Sequence, residues 1–270
     1  MIRTNLAVTS REYKLMLNTD RFKNRENGSK VFVELIHFLI KKEKGTILEK
    51  QNKEEKRQTF YLDTPQLALR QHGFSLRLRE EAEPSNGFQI NLKYRSSDRY
   101  ISAGQDISSP EGGKIKFEED ILPPFVSRFS HSNSIRVDKL PELKTMKQVT
   151  ALFPGLKKLN IEKDTPVKIA NDFKALELVR KICKFQFGDI DIVKASLSFW
   201  YLVEDSDWPL VAEFSFDYDA DDTGKERHEL EQYPFEAVEG SNRFFRALQN
   251  QVGWVDFNTS TKTAFAVEVL

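Results

Sequence analysis

The chain is written largely in short segments where polar and apolar residues alternate with period two, the signature of strands whose two faces meet different surroundings. Eight such strands are predicted, at roughly Ala7 to Leu17, Arg57 to Asp63, Phe74 to Glu81, Phe88 to Arg95, Lys114 to Ile121, Val193 to Val203, Leu210 to Asp219 and Arg227 to Gln232. Their polar faces are sorted by charge. In Leu76-Arg77-Leu78-Arg79 both arginines share one face and both leucines the other, and in Asn91-Leu92-Lys93-Tyr94-Arg95 the polar side is again basic. Carboxylates obey the same rule: Glu118 shares a face with Asp120, Glu213 with Asp217, and Glu229 with Glu231, while Phe214, Phe216, Tyr218 and Leu230 point the opposite way.

Helical stripes supply the cover for those apolar faces. One begins at Ser29 as N-cap and carries Val31, Phe32, Leu35, Ile36 and Leu39 as far as Gly45. A second is predicted from Thr165-Pro166, with Ile169, Phe173, Leu176, Val179 and Ile182 on one face. A third starts near Ser241 with Phe244, Phe245, Leu248 and Val252 as its stripe and stops at Gly253. If the apolar strand faces all turn outward to helices, the charged faces all turn inward. A closed barrel satisfies both conditions. The expected fold is therefore α+β: a closed eight-stranded antiparallel β-tunnel with a charged lumen and helices outside. The proline-punctuated stretch beyond Leu122 is expected as a helical insertion at about residues 122–191 of a single domain spanning 1–270.

The charge balance bounds the function classes. Lys plus Arg and Asp plus Glu are both 41, so bulk positive charge does not recommend a nucleic-acid partner. The single cysteine, Cys183, builds neither an internal disulfide nor a thiolate cluster, and the longest apolar stretch, Val31 to Ile40, is broken by Glu34 and His37. A cytoplasmic protein with no membrane partner is expected. No G-x-x-x-x-G-K-[ST] loop and no strand followed by G-x-G-x-x-G occurs, and the four histidines form no zincin-type pair. The chemistry then falls to the inward strand faces. Clustered cations repel one another unless an anion sits among them, and guanidinium forks match phosphate oxygens. Clustered carboxylates hold Mg²⁺ or Mn²⁺. Neither set is explained as a stabilising core, because buried unpaired charge is costly.

These residues resemble the CYTH superfamily, the triphosphate tunnel metalloenzymes, which include thiamine triphosphatases, inorganic tripolyphosphatases and class IV adenylyl cyclases. The best match is Tyr61-Leu62-Asp63-Thr64-Pro65 followed by Leu69-Arg70-Gln71-His72-Gly73-Phe74-Ser75-Leu76-Arg77-Leu78-Arg79, similar to the family's Y-F-D-T…L…G…L-R-x-R run. Leu92-Lys93 is similar to its L-K, Glu229-Leu230-Glu231 to its late E-x-E, and Thr261-Lys262 to its C-terminal S-K. The first-strand signature E-x-E-x-K is kept only in part: Ser10-Arg11-Glu12-Tyr13-Lys14 has serine for the first glutamate. On Val193 to Tyr201, where the family has an inward arginine, this chain offers Lys194, Ser196 and Ser198.

The resemblance implies phosphate binding by Lys14, Arg77, Arg79, Lys93 and Lys262, with Arg95 and Lys194 as further candidates. It implies metal ligation by Glu12, Glu229 and Glu231, so that Glu12, Lys14, Glu229 and Glu231 form the catalytic set, while Glu118, Asp120 and Asp217 line the tunnel. The expected activity is metal-dependent hydrolysis of a small-molecule triphosphate with Mg²⁺ or Mn²⁺. Two alternatives stand beside it: cyclisation of ATP, and binding of a polyphosphate or nucleotide without turnover. A homodimer is compatible with all three.

Overall fold

A computed structural model describes residues 6–81, 87–188, 192–203, 206, 208–219, 233–258 and 261–268. Among them are ten strands: β1 (Ser10–Leu17), β2 (Thr46–Lys50), β3 (Glu54–Asp63), β4 (Phe74–Glu81), β5 (Phe88–Ser96), β6 (Lys114–Leu122), β7 (Val126–Val137), β8 (Lys168–Gln186), β9 (Val193–Tyr201) and β10 (Val211–Asp219). The helices are α1 (Arg25–Lys42), α2 (Ala68–Gln71), α3 (Arg99–Ala103), α4 (Met146–Leu152), α5 (Phe235–Gln249) and α6 (Lys262–Glu268). None of the described helices is long and apolar enough to cross a membrane.

The strands follow the order β8-β3-β4-β5-β7-β6-β1-β10-β9, and β9 pairs back onto β8, so nine strands close a ring; β2 lies outside it, paired to β8. The expectation of eight antiparallel strands is thus corrected. Directions cannot alternate all the way round a ring of odd number, so one neighbouring pair must run parallel. That pair is β1 with β6, Ser10 facing Glu118 and Glu12 facing Asp120. The eighth predicted strand, Arg227 to Gln232, lies outside the described residues.

The predicted second helix is in fact β8, a strand of 19 residues. Asn171 and Asp172 both take φ of 52°, and the pairing register shifts again between Lys181 and Cys183. Each irregularity moves the side-chain phase by about one residue. Apolar residues on a strand interrupted this way fall three and four apart, which imitates a helix. β7 escaped notice for another reason. Its outward residues include His131 and Asn133 between Phe129 and Ile135, and its inward ones include Ser130, Ser132, Ser134 and Arg136, so the apolar alternation is broken in the middle of the strand. The expected helical insertion therefore supplies two barrel strands, and among the described residues its helical part is confined to α4 and a 3₁₀ turn at Pro154–Leu159.

The barrel is inside-out, as the sorted faces require. On one flank α1 and α5 bring Phe32, Ile36, Phe244 and Phe245 onto the outer faces of β1, β9 and β10, where Tyr13, Phe199, Phe214 and Phe216 are fully buried. On the other, Leu69, Met146, Val149 and Phe153 cover Leu76, Leu78, Ile90 and Leu92. Each buried phenylalanine or leucine contributes about 1.5–3 kcal/mol, so the core lies in these two outer layers. α1 starts at Arg25, with Asn24 accepting from the Asn27 amide, four residues before the predicted cap; Ser29 is buried within it. α5 likewise starts earlier than predicted, and Val252 is 95% exposed, outside the stripe.

A third apolar cluster plugs one end of the lumen. Met16, Tyr61, Phe173, Trp200 and Val211 pack there with Phe265 and Ala266 of α6. The opposite end, where β4 and β10 finish, carries the charges.

Candidate functional site

The best-matched motif turns out to be partly architectural. Asp63 ends β3, and its carboxylate accepts from the amides of Thr64, Leu69 and Arg70 at 2.7, 2.9 and 2.9 Å, tying down the short α2. Gly73 then takes φ of 80°, and a Cβ there would meet the Tyr94 ring at 2.8 Å. Glycine lets the chain reverse into β4. The outcome is a fixed register in which Arg77 pairs with Tyr61 and Arg79 with Thr59, so both guanidinium groups enter the lumen.

The lumen is a cavity of about 880 Å³. Eleven basic side chains line it: Lys14, Arg57, Arg77, Arg79, Lys93, Arg95, Lys114, Lys116, Arg136, Lys181 and Lys262. Glu12, Glu118, Glu213 and Asp217 are the acidic residues among its lining. Six of the seven predicted phosphate-binding cations meet here. Lys194 lies instead at the rim, its side chain 53% exposed and 3.4 Å from Asp219.

Acidic side chains gather where β1 lies between β6 and β10. The Lys14 ammonium is 2.6 Å from Asp120 and 2.8 Å from Glu12, and Arg95 approaches Asp120 at 2.6 Å. Asp120 is fully buried, which opposes its charge, but Arg95 and Lys14 outweigh burial and hold it well below the usual carboxylate range. Glu118 is contacted by Lys93 at 3.3 Å and Lys116 at 3.1 Å, and accepts from the Ser10 hydroxyl at 3.1 Å. Burial likewise opposes its charge, and the two lysines lower it in spite of that. Lys93 itself is lowered, because burial exceeds what its one long contact with Glu118 returns. Asp217 has the reverse history: burial first, then the nearby Glu12, pushes it up to about 7.

Cations dominate the opposite wall, and at their centre stands a carboxylate that was not predicted. Glu177, on β8, is wholly buried. It accepts from Arg57 Nε at 2.7 Å, Thr59 Oγ1 at 2.9 Å, Ser198 Oγ at 3.1 Å and Lys262 Nζ at 3.0 Å, with Arg79 at 3.4 Å. Burial opposes its ionisation, yet Lys262, Arg79 and Arg57 hold it well below the ordinary value. Lys262, the first residue of α6, also reaches Glu213 and Ser198, both at 3.0 Å. Reading β8 as a helix hid Glu177. Arg57 was legible in principle, since it alternates with Thr59 and Tyr61.

Glu229 and Glu231 lie outside the described residues. Among the described residues no three His, Cys, Asp or Glu side chains converge on a point. What fits a divalent cation is the pair Glu12 and Asp217, register partners on β1 and β10, whose mutual repulsion helps to raise Asp217. Hard oxygen donors of this kind suit Mg²⁺ or Mn²⁺.

No protein-family model and no curated protein matches the sequence. Solved structures do resemble the fold. A Hippeastrum protein, provisionally an adenylyl cyclase and described as having a dominant triphosphatase activity, is 11% identical with a TM-score of 0.48, over 96% of this chain and 95% of that one. A provisional adenylate cyclase from Bacillus halodurans is 13% identical with a TM-score of 0.40, over 95% and 96% of the two chains. Another from Vibrio parahaemolyticus is 14% identical with a TM-score of 0.32, over 92% and 91%. Likeness this distant transfers no residue role, so the roles rest on the geometry of this lumen.

Proposed function

We propose that the chain binds a triphosphate in the lumen and, with Mg²⁺ or Mn²⁺, hydrolyses its terminal phosphoanhydride bond. The supporting observation is the convergence of Lys14, Arg77, Arg79, Lys93, Arg95 and Lys262 on one cavity from four different elements. Such a surplus of half-buried cations is stable when polyanionic oxygens complete it. In the reaction water bonds to the terminal phosphorus, the bridging P–O bond breaks, and orthophosphate leaves together with the shortened anion. Phosphoryl transfer asks mainly for alignment and charge neutralisation. Arg77 and Arg79 grip the phosphate oxygens from β4, and Lys93 and Arg95 do so from β5. Lys14 and Lys262 approach from β1 and α6. Glu12 and Asp217 would hold the cation, which when bound supplies positive charge against the phosphate oxygens. Glu229 and Glu231 are assigned to the same role by the family resemblance alone.

A second reading is binding without turnover. It is favoured by Ser10, whose hydroxyl occupies the place of a carboxylate, and by the lysines and arginines that already neutralise Glu118 and Asp120. The deciding experiment measures phosphate release from tripolyphosphate, thiamine triphosphate and ATP with Mg²⁺ or Mn²⁺, with chromatography of the products. Release of orthophosphate supports hydrolysis, and pyrophosphate with cyclic nucleotide supports a cyclase. Calorimetric binding without either product supports the second reading; absence of binding removes both.

A further inference from the structure

We infer that Glu177 is an internal counter-anion, a positioning residue that competes with phosphate for Arg79 and Lys262 and so limits how tightly the lumen holds its ligand. The inference rests on the triphosphate reading of the same cavity. Its basis is donor stoichiometry. An ammonium has three N–H donors, and those of Lys262 face Glu177, Glu213 and Ser198, each at 3.0 Å. A phosphate oxygen gains Lys262 only by displacing one of them. Arg79 is shared in the same way, with one terminal nitrogen toward Glu177 and its Nε without a partner among the described residues.

The arrangement follows from what the empty barrel needs. Arg57, Arg77, Arg79 and Lys262 would otherwise repel one another in a corner largely shielded from water. One carboxylate, fully desolvated and held by two hydroxyls as well as three cations, stabilises the empty state. Whatever favours the empty state over the filled one lowers affinity by the same factor. The bonds of Glu177 also join β3, β4, β9 and α6, so the same carboxylate fixes where Arg79 and Lys262 present their remaining protons.

The test is Glu177→Gln, which keeps the shape and removes the charge, with inorganic tripolyphosphate as probe in the presence of Mg²⁺. Removing one close negative charge at low effective dielectric should lower both KM and calorimetric Kd by about tenfold or more, with no rise in kcat. Glu177→Asp, which retains the charge but withdraws it by one methylene, should move both in the same direction by a smaller factor, and it decides the matter if the glutamine variant does not fold. A purely structural role would change the yield of folded protein and leave its KM and Kd alone. Unchanged or weakened affinity in the folded variants overturns the inference. Wild-type binding without turnover removes hydrolysis but leaves the Kd comparison intact, whereas absence of wild-type binding overturns both.

Discussion

On one side of the lumen, where β1 lies between β6 and β10, carboxylates predominate: Glu12, Glu118, Glu213 and Asp217 line the cavity with two lysines of β6 and Lys14, and Asp120 is buried beside them. On the other, β3, β4 and β8 contribute Arg57, Arg77, Arg79 and Lys181 around the single carboxylate of Glu177. Both walls bury charge, but the acidic side keeps one carboxylate, Asp217, partly protonated near neutrality, while the basic side keeps guanidinium nitrogens without partners among the described residues. A cavity divided this way offers a cation and a polyanion separate footholds within one volume. It also means that deleting a charge has opposite consequences on the two walls.

The largest expected effect tests that asymmetry through stability. Asp120→Asn removes a fully buried carboxylate, leaving Arg95 without its ion pair and Lys14 with Glu12 alone, so denaturant unfolding should register a loss of about 3–5 kcal/mol. Arg77→Gln probes the other wall. Arg77 has no carboxylate partner among the described residues, so folding stability should hold while tripolyphosphate binding by calorimetry weakens by about 2–3 kcal/mol, a factor of roughly 30 to 150. A comparable loss of stability in both variants would erase the distinction between the walls.

Asp217 sharpens it through pH. Burial and the nearby Glu12 raise its pKa from the ordinary aspartate value to about 7, so the folded protein keeps a proton that the unfolded chain has already released. Stability from this group is therefore lost as pH rises from about 4 to about 7, with a slope of up to about 1.4 kcal/mol per pH unit. Asp217→Asn should lack that slope, and the difference between the two proteins, read from thermal unfolding without metal, isolates it from the histidines. The smallest effect is expected at the rim. Lys194→Ala should alter stability by less than about 0.5 kcal/mol, because its contact with Asp219 is long and solvent-exposed.

The inside-out barrel was legible because period two survives wherever a strand is straight: Leu76 to Arg79 and Phe214 to Tyr218 sort their faces without interruption. β8 was illegible because irregularities near Asn171 and Lys181 reset its phase. β7 was illegible because hydroxyls, His131 and Asn133 replace the usual contrast between faces. The site divides along the same line. Lys14, Arg77, Arg79, Lys93, Arg95 and Lys262 lie where their strand faces and motifs put them. Glu177 belonged to the strand that could not be read, and the crowding that raises Asp217 depends on β1 and β10 meeting, a contact between distant parts of the chain.

The parallel seam has a consequence for how such a chain is made. β1 emerges first during synthesis, yet its partners are β6, about 100 residues on, and β10, about 200 residues on. At roughly 5–20 residues per second the first strand waits about 10–40 s for the second of these neighbours. Until then its apolar outward side chains, Tyr13, Leu15 and Leu17, have no α5 to cover them. The nascent protein thus carries an unpaired strand edge through most of translation, and helper proteins that shield such edges should bear on its yield more than on its final stability.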